Sequence, residues 1–491
     1  MALAPFFERV YGAVGGHLAV SRESLAISLN DISVGVHCGA EPTPNDICIS
    51  EFAINLLARL YPRLSISGPE RHTEELKGLA LRINPNIEFA DSPPMATSIF
   101  VGMAPEIEAI AAGASGWVAH LRHLGAPPQG TYNPYASATA AALACAELFR
   151  RIFLKVSLER DLSVSLLDFT DDTGSSLEMA SRDVGSVIFA GIGAVGNAAL
   201  WALGHDTKTR GKLILLDPEQ LTLFNLQRYV LGTYADVLQP KVELAKRSLA
   251  HSRFSVENHA LTLEQFAEQH HGIEIPTICI SVDNAESRRS AQALLPKLVV
   301  NGWTGNQALG VSWHVFSREA ACLACLYQPR GQGISATEQA ARALGLSVER
   351  ATMLWVTRQP LSEEDVKTAA RALGVDQETL RAWHGKTLGD LYTDLVCGAV
   401  PLDVVGLGKV ETVPLGHQSA LAGVLMAAEL LKRTSPDLAA SAQSEPLVSW
   451  DDVLRPPPTI WVKPRPREPG CICGDKDYLE IFRQKWGISG M

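Results

Sequence analysis

The 491-residue sequence has no apolar run long enough to cross a membrane and no excess of basic side chains. The longest apolar stretches, residues 136–148 and 421–431, fall well short of the roughly 20 residues that a transmembrane helix needs. We interpret both as buried helices. Lysine and arginine together number 43, against 53 for aspartate and glutamate, which gives a formal net charge of −10. This balance disfavours nucleic acid or anionic lipid as a partner and favours a nucleotide or a protein.

The amino terminus lacks a secretory signal, because residues 1–5 contain no basic stretch leading into an apolar core and a cleavage site. We therefore expect a cytoplasmic protein. The sequence also lacks the even cysteine count of a disulfide framework. Its nine cysteines, in a long chain of this kind, favour metal ligation or catalysis.

Residues 1 to about 165 form a first block that has no glycine-rich turn of the kind that binds phosphate. Short apolar segments at 64–67 and 98–102 are typical of buried strands, whereas 51–60 and 137–153 have helical periodicity. Alternation of strands with helices predicts a parallel α/β sheet.

The second block contains a glycine-rich turn directly after an apolar strand. The strand at 186–190 leads into Gly191, Gly193 and Gly196, and Asp217 follows about twenty positions later. This spacing is typical of a β-α-β unit that binds a nucleotide. The other elements predicted for this block are a helix at 197–203 and strands at 212–217, 277–282 and 297–300.

A glycine turn alone favours an NAD- or FAD-dependent oxidoreductase. The residues that follow favour an enzyme that cleaves ATP between its α- and β-phosphates. Arg228 and Lys241 can neutralise the triphosphate as pyrophosphate departs, and Asp283 can hold a magnesium ion at the end of a buried strand. Each residue also has a structural explanation that stays open: a surface salt bridge for Arg228, a solvated helix start for Lys241 and a helix cap for Asp283.

Residues 186 to about 435 resemble the adenylation domain shared by ubiquitin-activating enzymes and the bacterial ThiF and MoeB proteins. The stretches that carry this resemblance are GIGAVG, LLDPEQLTLFNLQRY, QPKVELAKRSL, SVDNAESRR, VVNGW and PLGHQSALAGVLMAAELLK. The resemblance implies that the glycine turn and six side chains bind magnesium ATP. It assigns Asp217 and Glu219 to the ribose, Asn225, Arg228 and Lys241 to the phosphates, and Asp283 to Mg2+. Tyr229 stands where the family usually has glutamine, which leaves that contact open.

Four cysteines form two close pairs, Cys322 with Cys325 and Cys471 with Cys473. Four thiolates are the tetrahedral set that zinc prefers at structural sites, and buried free thiols are the alternative. The family commonly has two such pairs at similar positions. Here one residue, rather than two, separates the second pair.

Cys397 is the candidate thioester-forming nucleophile. By resemblance to ubiquitin-activating enzymes, a cysteine in such a crossover segment attacks the acyl-adenylate, although a lone cysteine in an apolar context is also typical of a core residue. The family further implies an arginine lent from an amino-terminal helix to the ATP site. Arg9 is the candidate, with a surface arginine on an ordinary helix as the alternative.

The predicted fold is α/β, with two Rossmann-like adenylation-type domains, the first degenerate and the second active, and a helical insertion that carries or precedes the catalytic cysteine. The first block resembles the inactive adenylation half of the larger activating enzymes. The predicted boundaries are 1–168 for the inactive domain, 175–330 and 398–440 for the active domain, 331–397 for the insertion and 441–491 for a proline-rich tail with zinc ligands.

The function predicted from these features is ATP-dependent activation of a ubiquitin-like carrier protein, followed by transfer to a conjugating enzyme. The resemblance is closest to bacterial conjugation operons, which implies a role in antiviral defence. Three alternatives stay open: a sulfur-carrier adenylyltransferase of thiamine or molybdenum-cofactor biosynthesis, an NAD-dependent oxidoreductase and an inactive nucleotide-binding scaffold. The sequence also leaves open whether two chains form a homodimer.

Overall fold

A computed structural model gives the architecture of most of the chain. The described residues are 3–15, 17–18, 20–90, 95–105, 109–158, 160–170, 177–305, 308–316, 320–328, 336–373, 376–389, 391, 413–451 and 459–488. They divide into two compact units. The larger consists of Met1–Phe7, Val20–Gln328 and Pro414–Met491, and the smaller of Glu8–Ala19 and Pro329–Val413.

The first sheet of the larger unit has seven strands in the order β3-β2-β1-β4-β5-β6-β7. The first five strands in this order, from β3 to β5, are parallel to one another. Strand β6 is antiparallel to β5, and β7 is antiparallel to β6. The strands are β1 (Val34–Cys38), β2 (Arg63–Ser67), β3 (Glu88–Phe89), β4 (Ser98–Val101), β5 (Ile110–Ser115), β6 (Val118–Arg122) and β7 (Leu162–Ser165). Strand β4 is buried at every position and β1 at every position except His37, as expected when helices cover both faces of a parallel sheet.

The second sheet has eight strands in the order β10-β9-β8-β11-β12-β13-β14-β15. Its first five strands in that order are parallel and the last three are antiparallel. The strands are β8 (Arg182–Ala190), β9 (Thr209–Leu216), β10 (Arg253–His259), β11 (Thr277–Ile280), β12 (Leu298–Thr304), β13 (Ala308–Val315), β14 (Leu447–Asp451) and β15 (Thr459–Lys463). The first seven positions therefore repeat the order and directions of the first sheet. Parallel strands dominate both sheets, which confirms the predicted α/β fold with two Rossmann-like domains.

Helices connect the strands of the larger unit. In chain order after α1 (Phe7–Gly15), which begins at the boundary of the units, they are α2 (Arg22–Asp31), α3 (Pro44–Leu57), α4 (Glu70–Ile83), α5 (Pro134–Phe149), α6 (Ala194–Gly204), α7 (Lys241–Ser248), α8 (Leu263–Gln269), α9 (Ala285–Ala293) and α10 (Leu323–Leu326). None of the helices in the described part of the chain has the length and apolarity needed to cross a membrane.

The smaller unit is helical. Beyond α1, its described residues form the helices α11 (Ala336–Ala343), α12 (Val348–Thr357), α13 (Glu363–Leu373) and α14 (Gln377–Leu380). They enclose an apolar core that includes Leu344, Leu354 and Leu373, all nearly inaccessible to solvent. Arg350 donates to both oxygens of Asp365 at 2.9 and 2.6 Å. This core agrees with the helical insertion expected from the sequence.

The chain then returns to the larger unit through α15 (Gly416–Thr434), α16 (Pro436–Ala439) and, after the last strands, α17 (Lys476–Trp486). Helix α15 packs closely against α6, because a Cβ atom on Gly423 would lie 2.2 Å from the Val195 carbonyl oxygen. The Trp201 ring of α6 also lies 4.2 Å from the Phe52 ring of α3. The carboxy-terminal segment, predicted as a proline-rich tail, also contains regular elements. Residues 459–463 pair with β14 as strand β15, and α17 follows.

Candidate nucleotide site

The carboxyl ends of β8, β9 and β11 meet at one edge of the second sheet. The chain leaves β8 toward β9 on one side, while β11 lies on the other side of β8. This is the point where the strand order reverses, and open α/β sheets bind ligands in the crevice that forms there. The glycine turn follows β8, Asp217 follows β9 and Asp283 lies three residues past β11.

The glycine turn leaves the amino terminus of α6 accessible. Gly191 has φ of +86°, and a Cβ atom there would lie 3.0 Å from a Val282 side-chain carbon. At Gly196 a Cβ atom would lie 2.1 Å from the Gly191 carbonyl oxygen, whereas at Gly193 it would meet nothing within 4 Å. Gly193 is the N-cap of α6 and supplies no side-chain cap. The first amides of α6 can therefore donate to a phosphate in the space beside Gly193.

Asp217 fastens this turn to β9. Its carboxylate accepts hydrogen bonds from the Ile192 amide at 2.6 Å and the Glu219 amide at 2.9 Å. Burial raises the pKa of Asp217, and Lys241 and these two amides oppose that shift. Since each carboxylate oxygen has a second lone pair, Asp217 can still accept from a ribose hydroxyl.

Lys241 is the first residue of α7, and its side chain is only 4% exposed. Its ammonium donates to the Glu219 carboxylate, and its backbone amide donates to the Glu219 carbonyl at 3.0 Å. The alternative of a solvated helix start for Lys241 is therefore wrong. Glu219 itself is 67% exposed, so solvent or a ligand can reach this ion pair from the Glu219 side.

The segment between β9 and α7 carries Asn225 and Arg228. Residues Leu223–Gln227 form a 3-10 helix, and the Asn225 side chain accepts from the Thr222 amide at 3.0 Å. Arg228 follows this helix and is partly buried. Asn225 therefore shapes the segment that presents Arg228.

Tyr229 follows Arg228, and the sequence left its contact open. It is 1% exposed, and burial, together with the charges of Asp217, Asp236 and Glu219, raises its pKa. Within the described part of the chain, the Tyr229 hydroxyl and the Gln227 side-chain oxygen are buried without a hydrogen-bond partner. Since buried polar atoms are normally paired, both are candidates to bind a ligand or ordered water.

Asp283 is exposed beyond the end of β11. Its Oδ1 accepts from the Asn284 side-chain amide at 3.3 Å. Asn284 caps α9 by accepting from the Ser287 amide at 2.7 Å, so the alternative of a helix cap for Asp283 is wrong. An exposed carboxylate at this edge is a suitable ligand for Mg2+.

Arg288 supports the segment before Asp283, a role that the sequence analysis missed. Its guanidinium donates to the Val282 carbonyl and the Asn301 side chain, and lies 5.0 Å from the centroid of the Tyr327 ring. The only sequence signal was an arginine five residues after Asp283.

The two cysteine pairs come together in the larger unit, where one pair follows β13 and the other precedes α17. All four are buried, and their sulfur atoms lie within 4.8 Å of one another. The closest separations are 3.5 Å for Cys325 and Cys473, 3.6 Å for Cys322 and Cys471, and 3.9 Å for Cys322 and Cys325. A tetrahedral zinc with bonds of about 2.3 Å places its sulfur ligands about 3.8 Å apart. The one-residue spacing of the second pair therefore does not prevent a zinc-like arrangement.

The two remaining candidate residues are Arg9 and Cys397. Arg9 is on α1 of the smaller unit and is 5% exposed, so it is not the surface arginine of the alternative interpretation. Cys397 lies outside the described residues. The structure therefore brings together the glycine turn, Asp217, Glu219, Lys241, the segment of Arg228 and Asp283 in the larger unit.

A family model described as the ThiF family matches residues 175–451, more than half of the chain. The chain belongs to the ThiF family. This membership supports an adenylyltransferase-like enzyme with a Rossmann-like adenylation fold. A second model, prokaryotic E2 family C, matches residues 40–154, within the block for which the sequence predicted a degenerate adenylation domain. The predicted domain boundaries stay a prediction.

Relatives of this ThiF-family chain include an uncharacterised protein, y4jF, from Sinorhizobium fredii (strain NBRC 101917 / NGR234). The two are 30% identical over 520 residues, which cover 100% of this chain and 98% of the relative. Solved structures of E. coli MccB are also similar. MccB with ATP is 18% identical, with a TM-score of 0.35 over 58% of this chain and 65% of that chain. MccB with AMPCPP and MccA is 17% identical, with a TM-score of 0.37 over 59% and 66%. The chain thus spans less than two thirds of these MccB chains.

Proposed function

We propose that this ThiF-family protein activates a ubiquitin-like protein by adenylating its carboxy-terminal glycine and then carries the acyl group as a thioester. The observation that supports this proposal is the convergence of an open helix amino terminus, a buried lysine and an exposed carboxylate at one crevice. A dinucleotide pocket needs the glycine turn and Asp217, but it needs neither Lys241 nor Asp283.

In the first step, a carboxylate oxygen of the carrier attacks the α-phosphorus of ATP. The bond from that phosphorus to the bridging oxygen breaks, and pyrophosphate leaves with the electron pair. Negative charge then accumulates on the departing pyrophosphate. It is faced by the amides at the start of α6, by Lys241 and by Arg228, and fixed donors and cations of this kind stabilise the transition state. Asp283 would hold Mg2+, which supplies charge neutralisation on the phosphate oxygens.

In the second step, the Cys397 thiolate attacks the acyl carbon. The bond to the AMP oxygen breaks, AMP leaves, and the carrier stays attached as a thioester that a conjugating enzyme's cysteine can accept. The other eight cysteines support this assignment by their burial. Four form the candidate zinc cluster, and the other four are also buried free thiols: Cys38, Cys48, Cys145 and Cys279. A buried thiol in apolar surroundings is a poor nucleophile because burial raises its pKa.

The first block is proposed to be the inactive adenylation half. The link from β1 to α3 corresponds in strand order to the glycine turn of the second sheet. Here the helix start is already occupied, because the Asp46 carboxylate accepts from the Thr43 amide at 2.9 Å and the Thr43 hydroxyl at 2.7 Å. A buried carboxylate at this end of α3 repels a phosphate and leaves fewer amides free to bind it.

Carrier-dependent exchange of labelled pyrophosphate into ATP tests adenylation. The full-length protein is mixed with magnesium ATP and a ubiquitin-like protein that ends in glycine. We expect label in ATP only when the carrier has a free carboxy terminus, because exchange requires reversal of acyl-adenylate formation. Equal exchange with a carrier that lacks its last glycine, or no exchange with any carrier, would contradict the proposal.

A Cys397→Ala variant is expected to keep pyrophosphate exchange and lose the carrier adduct that thiol reagents cleave, because only the second step uses this thiol. Nonreducing gel electrophoresis measures the adduct. The matched control is Cys38→Ala, since Cys38 is 5% exposed and burial raises its pKa to about 11. A thiol-sensitive adduct on the Cys397 variant would show that another residue is the nucleophile.

A Gly193→Asp variant is expected to bind ATP at least about tenfold more weakly, because like charges about 4 Å apart near a protein surface repel by about 4 kcal/mol. Its thermal unfolding temperature should stay close to wild type, since a Cβ atom at Gly193 meets nothing within 4 Å. Calorimetric titration with ATP measures the affinity. Gly305→Asp is the control, because it adds the same charge at another glycine with no close neighbour other than the Ala308 carbonyl, 3.7 Å from the added Cβ. Equal ATP affinities for the two variants would argue against phosphate binding at the glycine turn.

A further inference from the structure

A buried arginine of the first block reaches the segment that carries Arg228. Arg59 follows the end of α3 and is 1% exposed. Its side chain extends to backbone atoms about 170 positions later in the sequence, and both ends of this contact lie in the larger unit.

The contacts of Arg59 bracket Arg228 on both sides. Its Nη1 donates to the Leu226 carbonyl at 2.6 Å, and its Nη2 donates to the Gly232 carbonyl at 2.9 Å. Asn55, one turn earlier, donates to the Val230 carbonyl at 3.0 Å. Two side chains of the first block thus hold three carbonyl groups of the seven-residue segment 226–232, which we call the phosphate loop.

Asn55 also orients Arg59. The Nε and Nη2 atoms of Arg59 donate to the Asn55 side-chain oxygen at 3.1 and 2.9 Å. These bonds fix the plane of the guanidinium, so its two outer edges point at the two carbonyls. A planar fork of donors suits such a task, and a lysine cannot replace it.

Burying the charge of Arg59 at this position costs desolvation free energy. Among the described residues its hydrogen-bond partners are neutral, with no carboxylate among them. Burial lowers the pKa of its guanidinium to about 9. A buried cation without an acidic partner costs desolvation that an apolar side chain would avoid, so a structural role alone gives little reason for arginine here.

We propose that Arg59 and Asn55 are positioning residues of the nucleotide site, which set the backbone of the phosphate loop so that Arg228 is directed at the triphosphate. This inference rests on the proposed function. It gives the first block an indirect part in catalysis: although its own helix start is closed, it supports the site of the second sheet.

Two measurements on full-length Arg59→Ala test the proposal. Pyrophosphate exchange should show a rise in KM for ATP and a fall in kcat/KM of about a hundredfold, as expected when a catalytic group is misplaced by about 1 Å. Hydrogen–deuterium exchange should show faster exchange in peptides covering the phosphate loop and unchanged exchange in β5 and β6. Ethylguanidinium added to the solution should restore part of the activity, because it can occupy the vacated space and donate to the same carbonyls.

Two variants serve as controls. Arg59→Lys keeps the charge and should remain impaired, since a single ammonium cannot form the fork. Arg150→Ala removes another buried arginine of the first block, which pairs with Glu147 at 2.5 Å, and should leave the KM for ATP and the phosphate loop unchanged even if it lowers stability.

The outcomes separate this inference from the proposed function. If the wild-type protein shows no carrier-dependent exchange, the proposed function fails, and the deuterium measurement still tests whether Arg59 holds the loop. If the wild type is active and folded Arg59→Ala matches its kinetics, the positioning role is wrong. Uniformly faster deuterium exchange throughout the first block, without rescue by ethylguanidinium, would also overturn it, because that pattern indicates loss of packing alone.

Discussion

Asp283→Asn is expected to lower carrier-dependent pyrophosphate exchange by at least about a hundredfold, a loss typical of removing one group that stabilises transition-state charge. The substitution removes the negative charge proposed to hold Mg2+ and keeps the shape of the side chain. Because Asp283 is exposed, the free energy of unfolding should change by no more than about 0.5 kcal/mol. Exchange rates measured over a range of Mg2+ concentrations, together with thermal unfolding, check both expectations.

Glu286→Gln is the matched control for this experiment. Glu286 is also an exposed acid, and it lies in the first turn of α9, three residues after Asp283. Both variants lose one negative charge from the same end of one helix, so a general electrostatic effect would weaken them equally. We expect Glu286→Gln to exchange pyrophosphate at close to the wild-type rate. Similar rates for the two variants would remove Asp283 from the proposed metal site.

Of the variants described, Cys325→Ser is expected to lower the free energy of unfolding the most. We propose that the four-cysteine cluster holds one zinc ion per chain, which joins the segment after β13 to the segment before α17. Binding of a structural zinc contributes directly to folding free energy, about 10 kcal/mol or more in small zinc domains. In this larger unit we expect a loss of several kcal/mol, measured by thermal unfolding, and loss of zinc, measured by elemental analysis of the purified protein.

Cys279→Ala controls for the removal of a buried thiol. Cys279 is fully buried in β11 and is not part of the cluster. This variant should keep its zinc. Wild-type protein that contains no zinc, or a Cys325→Ser variant that is as stable as Cys279→Ala, would show that the four thiols do not form a structural metal site.

Loss of the metal should also affect the nucleotide site indirectly. Helix α17 docks onto the residues that follow α9, where Lys485 donates to the Leu294 carbonyl at 2.8 Å and the Trp486 indole donates to the Leu295 carbonyl at 2.9 Å. The start of α9 lies beside Asp283. A zinc ion held by the cluster would therefore stabilise a helix whose other end lies beside the proposed Mg2+ ligand.

Much of the second sheet could be predicted from local sequence. The apolar run 186–190 and the glycines after it identified β8 and the start of α6, because a short buried strand and a tight turn each have a strong local signature. The same holds for β9 with Asp217, and for β11. The cysteine pairs were also visible, since thiolate ligands occur at short, regular spacing.

Other features had no local signature. The role of Arg59 depends on three carbonyl groups far away in sequence, and any residue type offers a carbonyl. The closed start of α3 depends on whether Asp46 folds back onto Thr43 or faces solvent. The burial of Lys241 excluded a solvated helix start, and the cap formed by Asn284 excluded Asp283 as the helix cap. Neither burial nor cap geometry can be predicted from the type of a single residue.

The order of glycines, acids and cations in the second block was sufficient by itself to identify the ThiF family and its α/β fold, because these features depend on residues near one another in the chain. Only the tertiary structure showed that the first sheet repeats the strand order of the second, that its Arg59 and Asn55 hold the phosphate loop, and that the four cysteines meet. Those features depend on which distant backbone groups lie within hydrogen-bonding distance, and that is decided by how the sheets and helices pack.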